Sequence, residues 1–312
     1  MKLSLPLRGP RGERVDLART LDSHGVASLP PLEPLNGGGM RMTIRAGRGR
    51  PRTVVVRPGP RRSIELEVLG RAPSEAGARA ITEVVRHVLG LDMDLSGFYA
   101  QVRDDPDLSW AAQGAGRMVR SPTLFEEVVK TVCTTNCSWA LTVRMVSALV
   151  QHLGEPAAGA PGDDWRGRAF PTPQAMAEAD ERFYREVVRS GYRAPYFRSL
   201  GRLVADGDVD IEGWGSATRE EVPDAELAKL LQTLPGVGPY AAAHIMMMIG
   251  RHSLLILDSW TRPTYAKLVG KRSVSDATIE RRFRRYGDFA GLAFWLFLTR
   301  SWVPDQANRP NG

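Results

Sequence analysis

Hydrophobic and polar positions follow two different periods along this chain. Over residues 1–70, apolar side chains recur at every second position in Met40–Ala46, Thr53–Arg57 and Ser63–Leu69. The runs are separated by Asn36-Gly37-Gly38-Gly39 and Pro58-Gly59-Pro60. A period of two sends alternate side chains to opposite faces of a strand, and Gly/Pro clusters break strands, so this region reads as a small antiparallel sheet. From Ser74 the period becomes helical. Segments 75–90, 123–133, 138–153, 174–189, 194–206, 223–233, 239–250, 259–268 and 276–302 carry apolar residues at i, i+3 and i+4, with polar or turn residues between them. The expected fold is therefore α+β, with a β-sheet domain over 1–72 and an all-helical body over 73–312. Gly154–Arg168, rich in Gly, Pro, Asp and Arg, is expected to be an exposed loop dividing that body into two helical subdomains. The chain contains no internal repeat.

Composition narrows the class. With 312 residues, 43% of them hydrophobic, the chain can bury a sizeable core. The longest apolar stretches, such as Ala290–Phe297, fall short of the roughly 18 residues a bilayer span needs, so no membrane span is expected. The first residues, MKLSLPLRGPRGER, meet proline and arginine too early for a secretory signal, and a cytoplasmic, nucleoid-associated location is expected. Cys133 and Cys137 are the two cysteines. Without a nearby histidine pair they make neither a zinc site nor a four-cysteine iron–sulfur cluster, and they read as buried reduced thiols. A net charge of +7, from 42 basic and 35 acidic residues, suits a polyanionic partner. Arg41, Arg45, Arg50, Arg52, Arg57, Arg61 and Arg62 in the sheet region read as solvated strand faces before they read as phosphate contacts.

The most informative local pattern is a turn between two helices. Pro223-Asp224 opens an apolar-periodic helix that stops at Leu234-Pro235-Gly236-Val237-Gly238, and Pro239 suits the first position of the next helix because its missing N–H costs nothing there. Gly236 and Gly238 permit positive φ and leave no side chain between backbone and ligand. Amides at the second helix's N terminus then suit a phosphate, at about 0.3–1 kcal/mol for an exposed contact. Alone, the turn reads equally as an ordinary helix–helix connection. Further on, Leu254-Leu255-Ile256-Leu257 leads to Asp258 just ahead of Ser259-Trp260, so Asp258 reads as an N-cap, as a functional carboxylate, or as both.

Taken together, LPGVGPYAAAHIMMM and LLILDSW resemble the signature of the helix-hairpin-helix DNA glycosylase superfamily, with the hairpin over 223–250 and Asp258 following Tyr240 by 18 positions. The likeness extends over roughly 75–302. Val132-Cys133-Thr134-Thr135-Asn136, Phe170–Ala177 and Gly191-Tyr192-Arg193-Ala194-Pro195-Tyr196 are similar to successive blocks of 8-oxoguanine glycosylases. The amino-terminal sheet resembles the β domain of 3-methyladenine DNA glycosylase II.

This resemblance implies a base-excision repair enzyme acting on double-stranded DNA. Leu234, Pro235, Gly236, Val237 and Gly238 would hold backbone phosphate, Tyr192 would wedge into the gap left by a flipped nucleotide, and Arg193 and Asn136 would lie near the base left behind. Asp258 would be the catalytic carboxylate, stabilising positive charge on the sugar. Tyr240, Trp260, Trp139 and Trp295 are candidates for stacking on the base, because an alkylated purine is cationic and is drawn to an aromatic face. Superfamily members that also cut the strand carry a lysine where Tyr240 stands, so a monofunctional enzyme is implied. That lysine is missing, and Leu141 stands where 8-oxoguanine glycosylases place an arginine; together these favour alkylated purines over oxidised guanine. No metal and no iron–sulfur cluster is implied, although the hairpin leaves room for a monovalent cation, and a monomer is expected. The other readings are an 8-oxoguanine or mismatched-adenine glycosylase, and a non-catalytic DNA-binding protein that keeps the fold.

Overall fold

A computed structural model describes residues 1–47, 49–158 and 164–303. Five strands, β1 (Lys2–Pro6), β2 (Leu32–Leu35), β3 (Gly39–Ile44), β4 (Arg52–Gly59) and β5 (Ser63–Val68), form one antiparallel sheet in the order β1-β5-β4-β3-β2. Its register pairs Met42 with Val54, Val56 with Leu66 and Leu5 with Ile64, which gathers these apolar side chains in one core. The expected strands thus correspond to β3, β4 and β5. The two edge strands were not legible: β1 is short and ends in proline, and β2 carries Pro34, which an edge tolerates because no ladder N–H is needed on its outer side.

The helices follow in chain order as α1 (Leu17–Leu21), α2 (Glu75–Val88), α3 (Ser96–Val102), α4 (Leu124–Thr134), α5 (Trp139–Leu153), α6 (Pro173–Glu178), α7 (Ala194–Ala205), α8 (Ile211–Ser216), α9 (Asp224–Gln232), α10 (Pro239–Met248), α11 (Thr261–Leu268), α12 (Asp276–Phe283) and α13 (Ala290–Thr299). The sheet's core continues into α2 through Ile81, Val85 and Val88. Two expected helices are broken. The 174–189 segment leaves helical geometry at Ala179 and restarts where Asp180 Oδ1 accepts the Phe183 N–H at 2.7 Å. The 276–302 segment kinks at Gly287, whose φ of 52° and ψ of −121° do not continue a helix.

Two apolar clusters fill the helical body. One gathers α4, α5, α7 and α9, and the other gathers α3, α11, α12 and α13. Of the expected loop Gly154–Arg168, residues 159–163 lie outside the described residues. Its ends are tied together, with Ala157 N–H donating to the Gly167 carbonyl at 2.8 Å, and Arg166 reaches Glu33 on β2 at 3.0 Å. The strand arginines include ion-paired ones: Arg41 bonds Glu33 at 2.8 Å and Arg45 pairs with Glu155. Among the described residues, no helix is long and apolar enough to cross a membrane.

Candidate active site

Helix α10 runs between the two helical cores. Ala241, Ala242, Ile245 and Met246 pack into one, and Ala243, Met247 and Met248 into the other, so Ala241–Met248 is buried throughout. A helix buried on every side needs apolar residues on every side, and AAAHIMMM meets that requirement except at His244. The N terminus of α10 emerges from the hairpin, with Gly238 as a cap residue that supplies no side-chain hydrogen bond.

The hairpin is closed by Leu234 and Val237, whose N–H groups donate to the Leu231 and Leu234 carbonyls at 3.1 Å each. Gly236 has a φ of +83°, and a Cβ there would lie 2.9 Å from Tyr196 Cδ2 and 3.1 Å from Val132 Cγ1. Glycine is therefore required twice over, by conformation and by space. Gly238 departs from the expectation. Its φ of −96° suits any residue, and an added Cβ would meet nothing within 4 Å. Leu234 and Val237 are also core side chains, leaving only the hairpin backbone for a phosphate.

Leu254–Leu257 forms no strand, and Asp258 stands at the entrance to α11. Its Oδ1 accepts N–H groups from Trp260 at 2.8 Å and Thr261 at 2.6 Å, while Thr261 Oγ1 accepts the Asp258 N–H at 2.8 Å. Among the described residues, Oδ2 has no hydrogen-bond partner.

Asp258, Tyr240, Trp260, Trp139, Trp295, Asn136, Tyr192, Gly236 and Gly238 line a single cleft of about 990 Å³. Leu234, Pro235, Val237 and Arg193 do not. Arg193 is 3% exposed, with Nε donating to the Val132 carbonyl at 3.2 Å and to Thr135 Oγ1 at 3.3 Å. Its guanidinium lies 4.4 Å from the Tyr192 ring centre. Arg193 thus braces Tyr192 from within instead of facing an unpaired base. Tyr192 is 52% exposed and follows a tight turn in which Arg189 and Gly191 both have positive φ. Asn136, also exposed, has a φ of 46°, a conformation asparagine accepts more readily than most residues.

Three tryptophans meet beside Asp258. Trp260 lies 5.7 Å from Trp295 and 5.6 Å from Trp302, with 5.9 Å between Trp295 and Trp302. Trp295 is fixed by its indole N–H, which donates to the Ser23 carbonyl at 2.9 Å. Trp139 stands elsewhere in the cleft, against Gly25. Burial raises the Tyr240 phenol's pKa and the Asp258 charge adds to this, opposed by a hydrogen bond with Thr134.

Residues not anticipated from the sequence complete the cleft. Trp302 fell at the end of a segment read only as helix. His24, just ahead of a 3-10 turn at Gly25–Ser28, enters from the amino-terminal region, and His244 lies one turn after Tyr240 on α10. The available signal was the lone polar residue in an otherwise apolar helix. Among the described residues lining the cleft there is no lysine. Nor, among the described residues, is any group of three or more His, Cys, Asp or Glu placed to hold a metal. Cys133 is buried, which raises its thiol pKa, and Cys137 is partly buried with its thiol donating to the Cys133 carbonyl at 3.1 Å.

No family model matches the chain. Among curated proteins, it is 24% identical over 335 aligned positions to the probable N-glycosylase/DNA lyase of Methanothermobacter thermautotrophicus, covering 98% of this chain and 100% of that protein. Among solved structures, the 3-methyladenine DNA glycosylase of Archaeoglobus fulgidus superposes with a TM-score of 0.71 at 19% identity, covering 97% of this chain and 100% of that one. Similarity in sequence and fold over nearly the whole chain supports its assignment to the helix-hairpin-helix DNA glycosylase superfamily. A further solved structure, the 8-oxoguanine glycosylase/lyase of Clostridium acetobutylicum, superposes on this chain with a TM-score of 0.71 and 19% identity over 95% of each chain. One fold thus accommodates relatives named for different lesions, and the lesion this glycosylase takes must be argued from its own side chains.

Proposed function

We propose that this glycosylase hydrolyses the N-glycosidic bond of an alkylated purine flipped out of duplex DNA, and leaves the strand intact. Asp258 carries the reading. One carboxylate oxygen is held by the cap of α11 and the other has no partner among the described residues, in a cleft of nucleotide size. As the glycosidic bond breaks, positive charge grows on the sugar, and an ionised carboxylate fixed in advance stabilises it without reorganising. The same carboxylate orients the attacking water. The hairpin amides and the α10 N terminus hold a phosphate, and Tyr192 fills the vacated stack.

The lesion class is supported by the three-tryptophan wall, since the negative faces of aromatic rings attract a cationic base. Hydrolysis without strand cleavage is supported by Tyr240 and by the lack of a lysine among the described residues lining the cleft, since a phenol forms no Schiff base. The test is incubation with duplexes each bearing one defined lesion, followed by alkali to reveal abasic sites and by borohydride to trap imines. Abasic sites opposite alkylated purines without a trapped adduct are expected. A borohydride-stable enzyme–DNA conjugate contradicts the hydrolytic reading, and release of 8-oxoguanine alone contradicts the lesion class.

A further inference from the structure

Two buried histidines in the cleft have ring nitrogens without a hydrogen-bond partner among the described residues. His24 and His244 meet edge to face with ring centres 6.0 Å apart, and His244 lies 6.2 Å from Tyr240. They are 5% and 6% exposed, and both line the same cleft as Asp258. His24 Nε2 lies 2.7 Å from the Val119 carbonyl, which can only accept, so Nε2 carries the proton and Nδ1 is a bare acceptor. That Nδ1 is buried without a partner, and so is His244 Nε2. Buried polar atoms are nearly always paired, and these two belong to residues lining one cleft, where a ligand seated against the rings would supply the missing bonds.

We infer that His24 and His244 form a neutral hydrogen-bonding end of the base pocket and select a cationic alkylated purine through an N–H group on its edge. This rests on the glycosylase reading above and adds a specificity determinant to it. Positive charge on an alkylated purine makes its N–H groups stronger donors, and a charge-assisted bond to an imidazole lone pair is stronger than a neutral one. The histidines must stay uncharged, because an imidazolium would repel a cationic base. Burial holds both below the usual histidine range: His24 is brought to about 4 by burial and by His244, and burial lowers His244 against the pull of Glu127 and Asp258. The tryptophans then sense the charge of the base and the histidines sense its N–H. A site built to hydrogen-bond a substrate group discriminates strongly against an analogue lacking it.

The test compares 7-methylguanine, which keeps N–H groups, with 1,N6-ethenoadenine, which has none, each in a duplex. Single-turnover base release is measured for both, and affinity is measured with 2′-fluoro versions that cannot be hydrolysed. His244→Phe is expected to reduce release and affinity for 7-methylguanine by at least tenfold more than for ethenoadenine. His244→Gln, whose amide restores hydrogen bonding, is expected to recover most of the loss, and it serves as the informative variant if phenylalanine is not accommodated. Affinity for a duplex containing an abasic analogue should be unchanged in both variants. Equal losses on both bases, or no loss on either, overturn the selective role and leave the glycosylase reading standing. Wild-type protein inert on every lesion, with ordinary affinity for the abasic duplex, overturns the glycosylase reading and this inference with it.

Discussion

Asp258 and Thr261 cap each other: the carboxylate accepts the Thr261 N–H at 2.6 Å, and the Thr261 hydroxyl accepts the Asp258 N–H at 2.8 Å. The pairing shows the capping role of Asp258, with Oδ1 serving the helix and Oδ2 without a hydrogen-bond partner among the described residues. The cap also sets the side-chain rotamer, so the helix entrance is the device that orients the carboxylate.

Removing the cap partner should therefore separate orientation from chemistry. Thr261→Val leaves the carboxylate but takes away the acceptor for the Asp258 N–H, and loss of a cap partner costs about 1 kcal/mol. The expected outcome is a modest drop in thermal midpoint with about a tenfold fall in the single-turnover rate, since small misplacements of a catalytic group are expensive in rate. Both are read by calorimetry and by base-release kinetics. An unchanged rate would show that the cap does not position Asp258.

The two hairpin glycines should behave differently. Gly236→Ala meets Tyr196 and Val132 at a positive φ, so a loss of about 1–3 kcal/mol in unfolding free energy is expected, together with weaker DNA binding. Gly238→Ala meets open space at an ordinary φ, and its stability should stay within about 0.5 kcal/mol of the parent. Denaturant unfolding of the pair checks both.

Trp302 should matter for charged bases in particular. It is 43% exposed yet stacked with Trp260 and Trp295. Trp302→Ala is expected to slow release of 7-methylguanine several-fold more than release of neutral hypoxanthine, because a cation–π contact contributes about 0.5–2 kcal/mol. Parallel losses on the two bases would assign Trp302 to packing alone.

Acid should destabilise the fold through buried histidines. His24 falls to about 4 and His252 to about 3, both chiefly through burial. Their folded pKa values lie below the unfolded value, so the unfolded chain binds protons first. The stability they contribute is complete above about pH 6.5 and declines as the pH falls toward 4, by about 3 kcal/mol for a shift of this size at His24. Thermal midpoints recorded from pH 7 to 4 should drop, and His252→Phe should flatten that decline. An identical slope in the variant would remove His252 from the linkage.

The parts of this fold that were legible in the sequence are those where period and packing agree. Strands β3 to β5 alternate because one face is buried, and α10 is apolar throughout because it lies between two cores. The edge strands are short segments with Pro6 or Pro34 that carry little alternation, and the apolar period of the last helical segment runs through the kink at Gly287. At the cleft, Tyr240 and Asp258 come from two neighbouring sequence strings 18 positions apart, and both line it. His24 and Trp302 come from distant parts of the chain, and only the tertiary fold brings them to the same wall. For Arg193, sequence shows a charge but not its burial, and the Val132 carbonyl and Thr135 hydroxyl that hold it inside are contacts no local pattern reports.

The most direct measurement is single-turnover base release by Asp258→Asn beside the parent protein, on the best-excised lesion duplex, with DNA affinity measured in parallel. Asparagine caps a helix about as well as aspartate, so folding and DNA binding should be retained while release falls by a factor of about 10² or more. Release at the parental rate by a folded, DNA-bound variant would contradict the role given to this carboxylate.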